Sequence, residues 1–369
     1  MNKKLMAVAV AGALAAPGVA LAQVTISGKL NAQYGFVSQA DTAGSVSRDS
    51  ADGFNSPASN VRLSGQEKLG GGNTVWFQCE TRARWGVDLN PSQANSGICD
   101  RNSALGVKGS FGNIFIGKWD TAMETQSGNV RFESTGYIGV QNMMAEDQGQ
   151  FGISFAQRVQ DSINYESPNF SGFSFGLSTT TTNHALNTAV TTGAKGRIYS
   201  GYGTYAAGPL LVWVGYEKHD DNQNGVGGGA DGTSEDMVSA GASYVFGPVK
   251  VGLYYTSFDG DTSATTDVSR DSIHLVADWK VTPAGTIRVS LTQADDFEGS
   301  DPGAAADDQG AKKYVIAYNH ALSKRTSVLV GYSKIDNDSN GQYNFFLFNS
   351  DVKLGDSASA FVLGASHSF

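Results

Sequence analysis

Polar side chains at Gln78, Glu80, Arg82 and Arg84 alternate with apolar ones at Val75, Phe77 and Ala83. An extended chain places successive residues on opposite faces, so this spacing gathers the charges on one side of a strand. Lined up toward water, such a set can sort solutes by size and charge without making or breaking a bond. Arg82 and Arg84 suit the narrow part of a passage and its outer mouth equally well. Arg288, between Ile287 and Val289, is placed in the same manner. Catalytic chemistry has less to stand on. The five histidines, His184, His219, His274, His320 and His367, belong to no nucleophile, metal-ligand or helix-borne zinc spacing. His184 and His219 read as solvated loop residues, and His274 and His320 as strand side chains. The glycine run at 225–229 lacks both the Lys of a phosphate loop and its strand-to-helix setting. Asp-rich stretches offer hard oxygen ligands, but not at the spacing of a helix-loop-helix calcium site. No cofactor and no metal is implied.

The elements that must position these side chains are strands. Val24, Ile26, Leu30, Ala32, Tyr34 and Phe36 fall on one face, opposite Thr25, Ser27, Lys29, Asn31 and Gln33. The pattern returns at Ile273, Leu275, Ala277, Trp279 and Val281, and again at Ile287, Val289 and Leu291. Turn signals stand at Leu69–Asn73, Ser110–Asn113, Ser167–Gly172, Ala206–Pro209, Phe246–Pro248, Thr282–Gly285 and Ala321–Arg325. Between them lie polar stretches near 38–58, 89–99, 120–150, 183–194, 220–234, 260–267, 295–310 and 336–357. Seven tight turns interleaved with eight long loops predict sixteen antiparallel strands. A soluble β-sandwich would also alternate. Short connections at one end and long ones at the other fit better a transmembrane β-barrel with short periplasmic turns and long extracellular loops. Aromatics near strand ends, at Tyr34 and Phe36, Trp76 and Phe77, Tyr254 and Tyr255, and Phe345 and Phe346, suit interfacial girdles.

Both chain ends carry signals. Lys3 and Lys4, the apolar stretch from Leu5 to Ala16 and the small residues Ala20 to Ala22 read as an export signal over 1–22, cleaved between Ala22 and Gln23. The apolar stretch is too short for a spanning helix. Residues 23–369 then form the barrel. A net charge of −9, made more acidic by loss of Lys3 and Lys4, disfavours nucleic acid as a partner. Cys79 and Cys99 could bridge in an oxidising compartment. Strict alternation sets Cys79 on the lipid face and Cys99 on the side of Arg101, so a bridge needs a bulge or an irregular strand start. Both states stay open. At the far end Phe361, Leu363, Ala365 and Phe369 alternate down to a terminal aromatic.

Four segments carry a family resemblance. They are Gln-Val-Thr-Ile-Ser-Gly-Lys at 23–29, Leu-Ser-Gly-Gln-Glu-Lys-Leu-Gly-Gly-Gly at 63–72, Arg158 with Ser-Ile-Asn-Tyr-Glu-Ser-Pro-Asn-Phe at 162–170, and Gly-Ala-Ser-His-Ser-Phe at 364–369. In order and spacing the chain resembles the general diffusion porins of Gram-negative outer membranes over essentially all of residues 23–369. The resemblance implies a homotrimer in the outer membrane among lipid and lipopolysaccharide, inserted by the barrel-assembly machinery with Phe369 as the assembly signal. It also implies that the third outer loop, here 120–150, folds into the lumen.

By the same resemblance, Lys29, Arg101 and Arg158 occupy family positions on a basic constriction wall. Arg62 departs from it: the usual arginine position is Asn60 here, and Arg62 lies two residues on, on the same face. Acids for the opposite wall are Asp120, Glu124, Glu133, Glu146 and Asp147, with Glu124 and Glu133 expected at the narrowest point. The function implied is passive diffusion of ions and small hydrophilic solutes, with a weak preference for anions. A sugar- or anion-specific channel would show an aromatic slide or a denser basic ladder; Trp76 faces inward, but no regular ladder follows. A barrel enzyme finds no support in the histidines, and a soluble adhesin or binding module would fail if the protein partitions with the outer membrane as a heat-modifiable oligomer.

Overall fold

The computed structural model describes residues 24–39, 50–84, 97–128, 136–140, 143–144, 155–181, 196–220, 233–304, 307–345 and 352–369. Its strands are β1 (Thr25–Gln39), β2 (Ser50–Asn55), β3 (Asn60–Gly70), β4 (Asn73–Arg82), β5 (Ser103–Gly109), β6 (Gly112–Asp120), β7 (Arg158–Glu166), β8 (Phe173–Thr180) and β9 (Arg197–Ala207). They continue as β10 (Leu210–Asp220), β11 (Ser234–Phe246), β12 (Val249–Ser263), β13 (Thr266–Lys280), β14 (Gly285–Ala294), β15 (Ala311–Ala321), β16 (Thr326–Asn337) and β17 (Ala358–Ser368). A short helix, α1 (Ala122–Ser127), follows β6.

From β3 to β17 each strand pairs antiparallel with the next, and β1 pairs with β17 from Lys29↔Ser368 to Gln39↔Ala358, which closes the sheet. β2 and β3 both lie along β1, at Gln33↔Asn55 and Lys29↔Asn60, and are two halves of one interrupted strand. The closed barrel therefore has sixteen strands. Pro57, which has no N–H to give to a ladder, sits in the interruption. Asn31 bridges the gap: its N–H donates to Ser59 Oγ at 2.8 Å and its side-chain amide to the Pro57 carbonyl at 3.1 Å.

Packing is inverted relative to a soluble protein. Outward residues such as Ile26, Leu105 and Ile316 are exposed, whereas inward Thr256, Ser272 and His274 are buried. The outward surface is thus the apolar one, as lipid requires. All seven predicted turns join strands at one end. At the other end, 260–267 is not a loop: β12 runs to Ser263 and β13 starts at Thr266, so the connection is a tight hairpin. Thr and Ser there hold the pair together, with Thr262 Oγ1 3.2 Å from the Thr266 carbonyl, and Asp301 accepts from Thr262 at 2.6 Å. The stretch 38–58 likewise contains β2. Trp76 and Tyr254 face the lumen, and Phe345 is buried in the loop after β16, so none of them belongs to a girdle; Phe346 lies outside the described residues.

Candidate functional site

β3 to β8 span only 7 to 11 residues each, whereas β11 to β13 span 13 to 15. The loop ends of the short strands stop lower on the wall, and there the charged side chains meet. Glu80 accepts from two arginines, Arg62 at 2.6 Å on one oxygen and Arg101 at 2.6 Å on the other. Arg158 pairs with Asp120 at 2.7 Å, its register partner across β6 and β7. Asn102 braces this pair, accepting from Arg158 and donating to Asp120 at 2.7 Å. Asp100 accepts from the backbone N–H of Arg82 at 2.8 Å. Arg82 is an electrostatic neighbour of Arg84, Arg101 and Arg158.

Lys118 also belongs to this set, within electrostatic reach of Arg158, Asp100 and Arg82. Alternation from Ile114 and Ile116 assigns it to the lipid face. The register of β6 on β7 shifts between Gly117 and Trp119, and the alternation does not carry past that point. Lys29 shares one row with Asn60 and Arg82 across β1, β3 and β4. Among the described residues, this wall sets Arg62, Arg82, Arg84, Arg101, Lys118 and Arg158 against Glu80, Asp100 and Asp120. Asp120, expected on the acidic loop facing the arginines, is the last residue of β6 and part of their own wall. Arg288, by contrast, lies on β14 and forms an ion pair with Asp278.

The stretch after Asp120 crosses the lumen. Its start, α1, is fixed on β8 and β9: the Ala122 N–H donates to Ser178 Oγ at 2.9 Å and the Met123 N–H to Ser200 Oγ at 3.0 Å. Gly215 of β10 gives Met123 its seat, since a Cβ there would stand 2.8 Å from Met123 Cγ. Residues 136–140, 143 and 144 lie against β1, β2 and β13 to β16. The Tyr137 N–H donates to Gln33 Oε1 at 3.3 Å, its hydroxyl to the Gly53 carbonyl at 2.9 Å, and Ser333 donates to its carbonyl at 2.8 Å. Buried Lys313 donates to the Gly139 carbonyl, and buried Arg270 to that of Met143 at 3.2 Å. The return is anchored by the Ala156 N–H on Glu217 Oε1 at 3.0 Å. Glu217 in turn holds His219 at 3.0 Å, and Glu235 holds its other ring nitrogen at 3.2 Å. His219 is thus buried inside the barrel rather than solvated on a loop, because β10 runs on to Asp220.

The inserted segment presents Tyr137, Ile138, Val140, Met143 and Met144 to the far wall, and these side chains with Trp213, Tyr254 and Phe258 make an apolar core inside the barrel. Glu124 of α1 acts electrostatically on Arg158. Glu133, Glu146 and Asp147 lie outside the described residues, as do Ala22, Gln23, His184 and the run 225–229.

Cys79 and Cys99 are bonded, with their Cα atoms 4.7 Å apart. Cys99 precedes β5 and has φ +60°, the irregular strand start that the bridge needed. The link ties the end of β4 to the corner carrying Asp100, Arg101 and Asn102. Below the charges, toward the turns, Trp76, Phe115 and Trp119 stack as a compact lumen-facing cluster rather than a ladder.

Residues 7–340 match the family model described as Gram-negative porin. Outer membrane porin protein 32 of Delftia acidovorans is 30% identical, over the full length of both chains. Major outer membrane protein P.IB of Neisseria meningitidis serogroup A is 26% identical over 89% of this chain and 92% of its own. Among solved structures, an anion-selective porin from Comamonas acidovorans is similar with a TM-score of 0.73 at 23% identity, over 94% of this chain and all of that one.

Proposed function

Since the chain belongs to the Gram-negative porin family and is an outer-membrane channel for passive diffusion of ions and small hydrophilic solutes, we propose that the arginine-rich wall of β3 to β7 is its filter. Lys29, Arg62, Arg101 and Arg158 with Arg82, Arg84 and Lys118 set the potential at the narrow part of the lumen, and they favour anions weakly. The observation that carries this reading is the charge count: among the described residues these seven cations stand against three carboxylates, Glu80, Asp100 and Asp120. The acidic outer stretches draw cations to the mouth and oppose the preference. Charges within roughly a Debye length, ~8 Å at physiological salt, outweigh more distant ones. Glu124, which acts on Arg158, and Glu133 complete the reading as acids of the third loop.

Under a salt gradient in planar bilayers, the reversal potential should show a modest anion preference that Arg101→Ala and Arg158→Ala each reduce. Clear cation selectivity unaltered by either substitution would overturn the assignment.

A second reading, a solute-specific channel, has one observation in its favour, the Trp76–Phe115–Trp119 cluster below the filter. Saturable block by a sugar would distinguish it. Cleavage of 1–22 after Ala22, a homotrimeric assembly, contact with lipopolysaccharide, and insertion through barrel-assembly machinery that reads Phe369 belong to the same proposal, carried by family membership.

A further inference from the structure

Across the barrel from the arginine wall, between Ile138 of the inserted loop and the tight turns, the lumen widens into a cavity of about 360 Å³. Strand register builds it. Lys250, Asp278, Arg288 and Ala317 are successive partners across β12, β13, β14 and β15. Lys280, Thr286, Asn319 and Leu329 form the next row toward the turns. The two rows are charged at the β12–β14 end and small or apolar at the β15–β16 end. Ala317 and Asn319 leave the space that longer side chains would fill, Ile138 and Leu329 give it an apolar flank, and Val245 of β11 lines the opposite side beside Lys250. On the charged flank Arg288 pairs with Asp278 through two nitrogens. Lys250 and Lys280 are further cations on that flank, so the lining carries three cations to one carboxylate.

We propose that this cavity is a second anion subsite, past the filter, which holds small organic carboxylates bearing an apolar tail or ring. A pocket with an apolar body and a few converging charges orients an amphipathic ligand. Here the carboxylate lies toward Lys250, Lys280 and Arg288, and the apolar part lies on Ile138 and Leu329. Chloride meets the same charges but gains nothing from the apolar flank. The residence must be brief, because a conducting path needs sites that are favourable to enter and weak enough to leave. The inference rests on the reading of the chain as an anion-favouring diffusion channel. It adds a class of solute that the arginine wall alone does not select.

The test is chloride current through the full-length protein in planar bilayers, with benzoate or acetate added on the side of the tight turns. Benzoate should interrupt the current in a saturable way and acetate much less, since acetate lacks the apolar part. Ala317→Leu fills the cavity without altering charge and should abolish the benzoate effect. Lys280→Gln, at the exposed end of β13, should weaken it by about tenfold, the loss of one charge-assisted contact. Should Ala317→Leu fail to assemble, Lys280→Gln alone decides. Benzoate without effect on the wild type, or equal effects on wild type and Lys280→Gln, overturns the subsite. The sign of the reversal potential, read from the same channels, reports separately on the arginine wall. A cation-selective channel still blocked by benzoate would sink the filter and keep the cavity.

Discussion

Glu80 does more in the wall than its sign suggests. Its side chain is 3% exposed and each oxygen carries an arginine, so it neutralises part of the charge while fixing where Arg62 and Arg101 stand. Glu80→Gln should therefore move two observables in opposite senses. Anion preference should rise, because a carboxylate leaves a wall that keeps all its cations. Stability should fall by about 1–2 kcal/mol, short of the loss expected for a fully buried pair, since Arg62 remains 42% exposed to water. Reversal potential and the midpoint of thermal unfolding read the two effects. A fall in anion preference would contradict the assignment of Glu80 to the filter. At this scale the sequence was legible wherever alternation held: Gln78, Glu80 and Arg82 lie on the lumen face because β4 is regular. It was not legible at Lys118, where a register shift breaks the period, nor at His219, whose partners Glu217 and Glu235 flank it only once β10 and β11 pair in register. Asp120 and Arg158 lie 38 positions apart in sequence and become partners only because the stretch between them returns to its starting point.

The inserted loop shows how a strand can be shaped for another element. A Cβ at Gly35 would stand 2.4 Å from the Tyr137 ring, so the absence of a side chain on β1 is what seats the loop tip. Gly35→Val should dislodge residues 136–140 at about 1–3 kcal/mol, the usual range for overpacking. Single-channel records should then show larger and noisier conductance, with strand content by circular dichroism unchanged. Conductance equal to wild type would mean that the tip does not help to set the aperture. Burial, with Asp52 and Tyr34 nearby, pushes the Tyr137 hydroxyl up to about 12 from an ordinary 10.0. The docked, protonated tyrosine therefore contributes in full below pH 10.0, and its contribution is lost as pH rises from there to about 12. Wild-type conductance should be flat through neutral pH and turn noisy only in that alkaline window. Turns were legible because Gly, Pro and Asn mark them locally. The hairpin between β12 and β13 was not, because Asp and Gly near 260–267 resemble a loop while Asp261 and Asp301 serve as partners to Ser234 and Thr262.

Across the whole molecule, what holds the chain in place is the contrast between an apolar exterior and a polar lumen, and the alternation that creates this contrast is written in the sequence of strands such as β1, β13 and β14. Leu253, Leu275 and Leu291 form one outward row across β12, β13 and β14. Tyr255, whose hydroxyl meets Asp271 at 2.7 Å, lies on the loop side of that row, and Trp279 marks its turn side. The residues between these two aromatics correspond to the hydrocarbon band. An arginine placed at Leu275 would face lipid with no partner on its own face: Leu253 and Leu291 flank it, and Ile273 and Ala277 lie above and below. The cost at such depth is ~2–4 kcal/mol. Arg288, three residues nearer the turns and on the other face, has its guanidinium met by Asp278. Leu275→Arg should therefore lower the unfolding midpoint in lipid bilayers and reduce the yield of folded protein recovered from outer membranes. Leu275→Ile, which keeps the face apolar, should change neither. If Leu275→Arg assembled with wild-type stability in bilayers, the outward face of β13 would not be its lipid face, and the assignment of every lumen residue that depends on this parity would reverse with it.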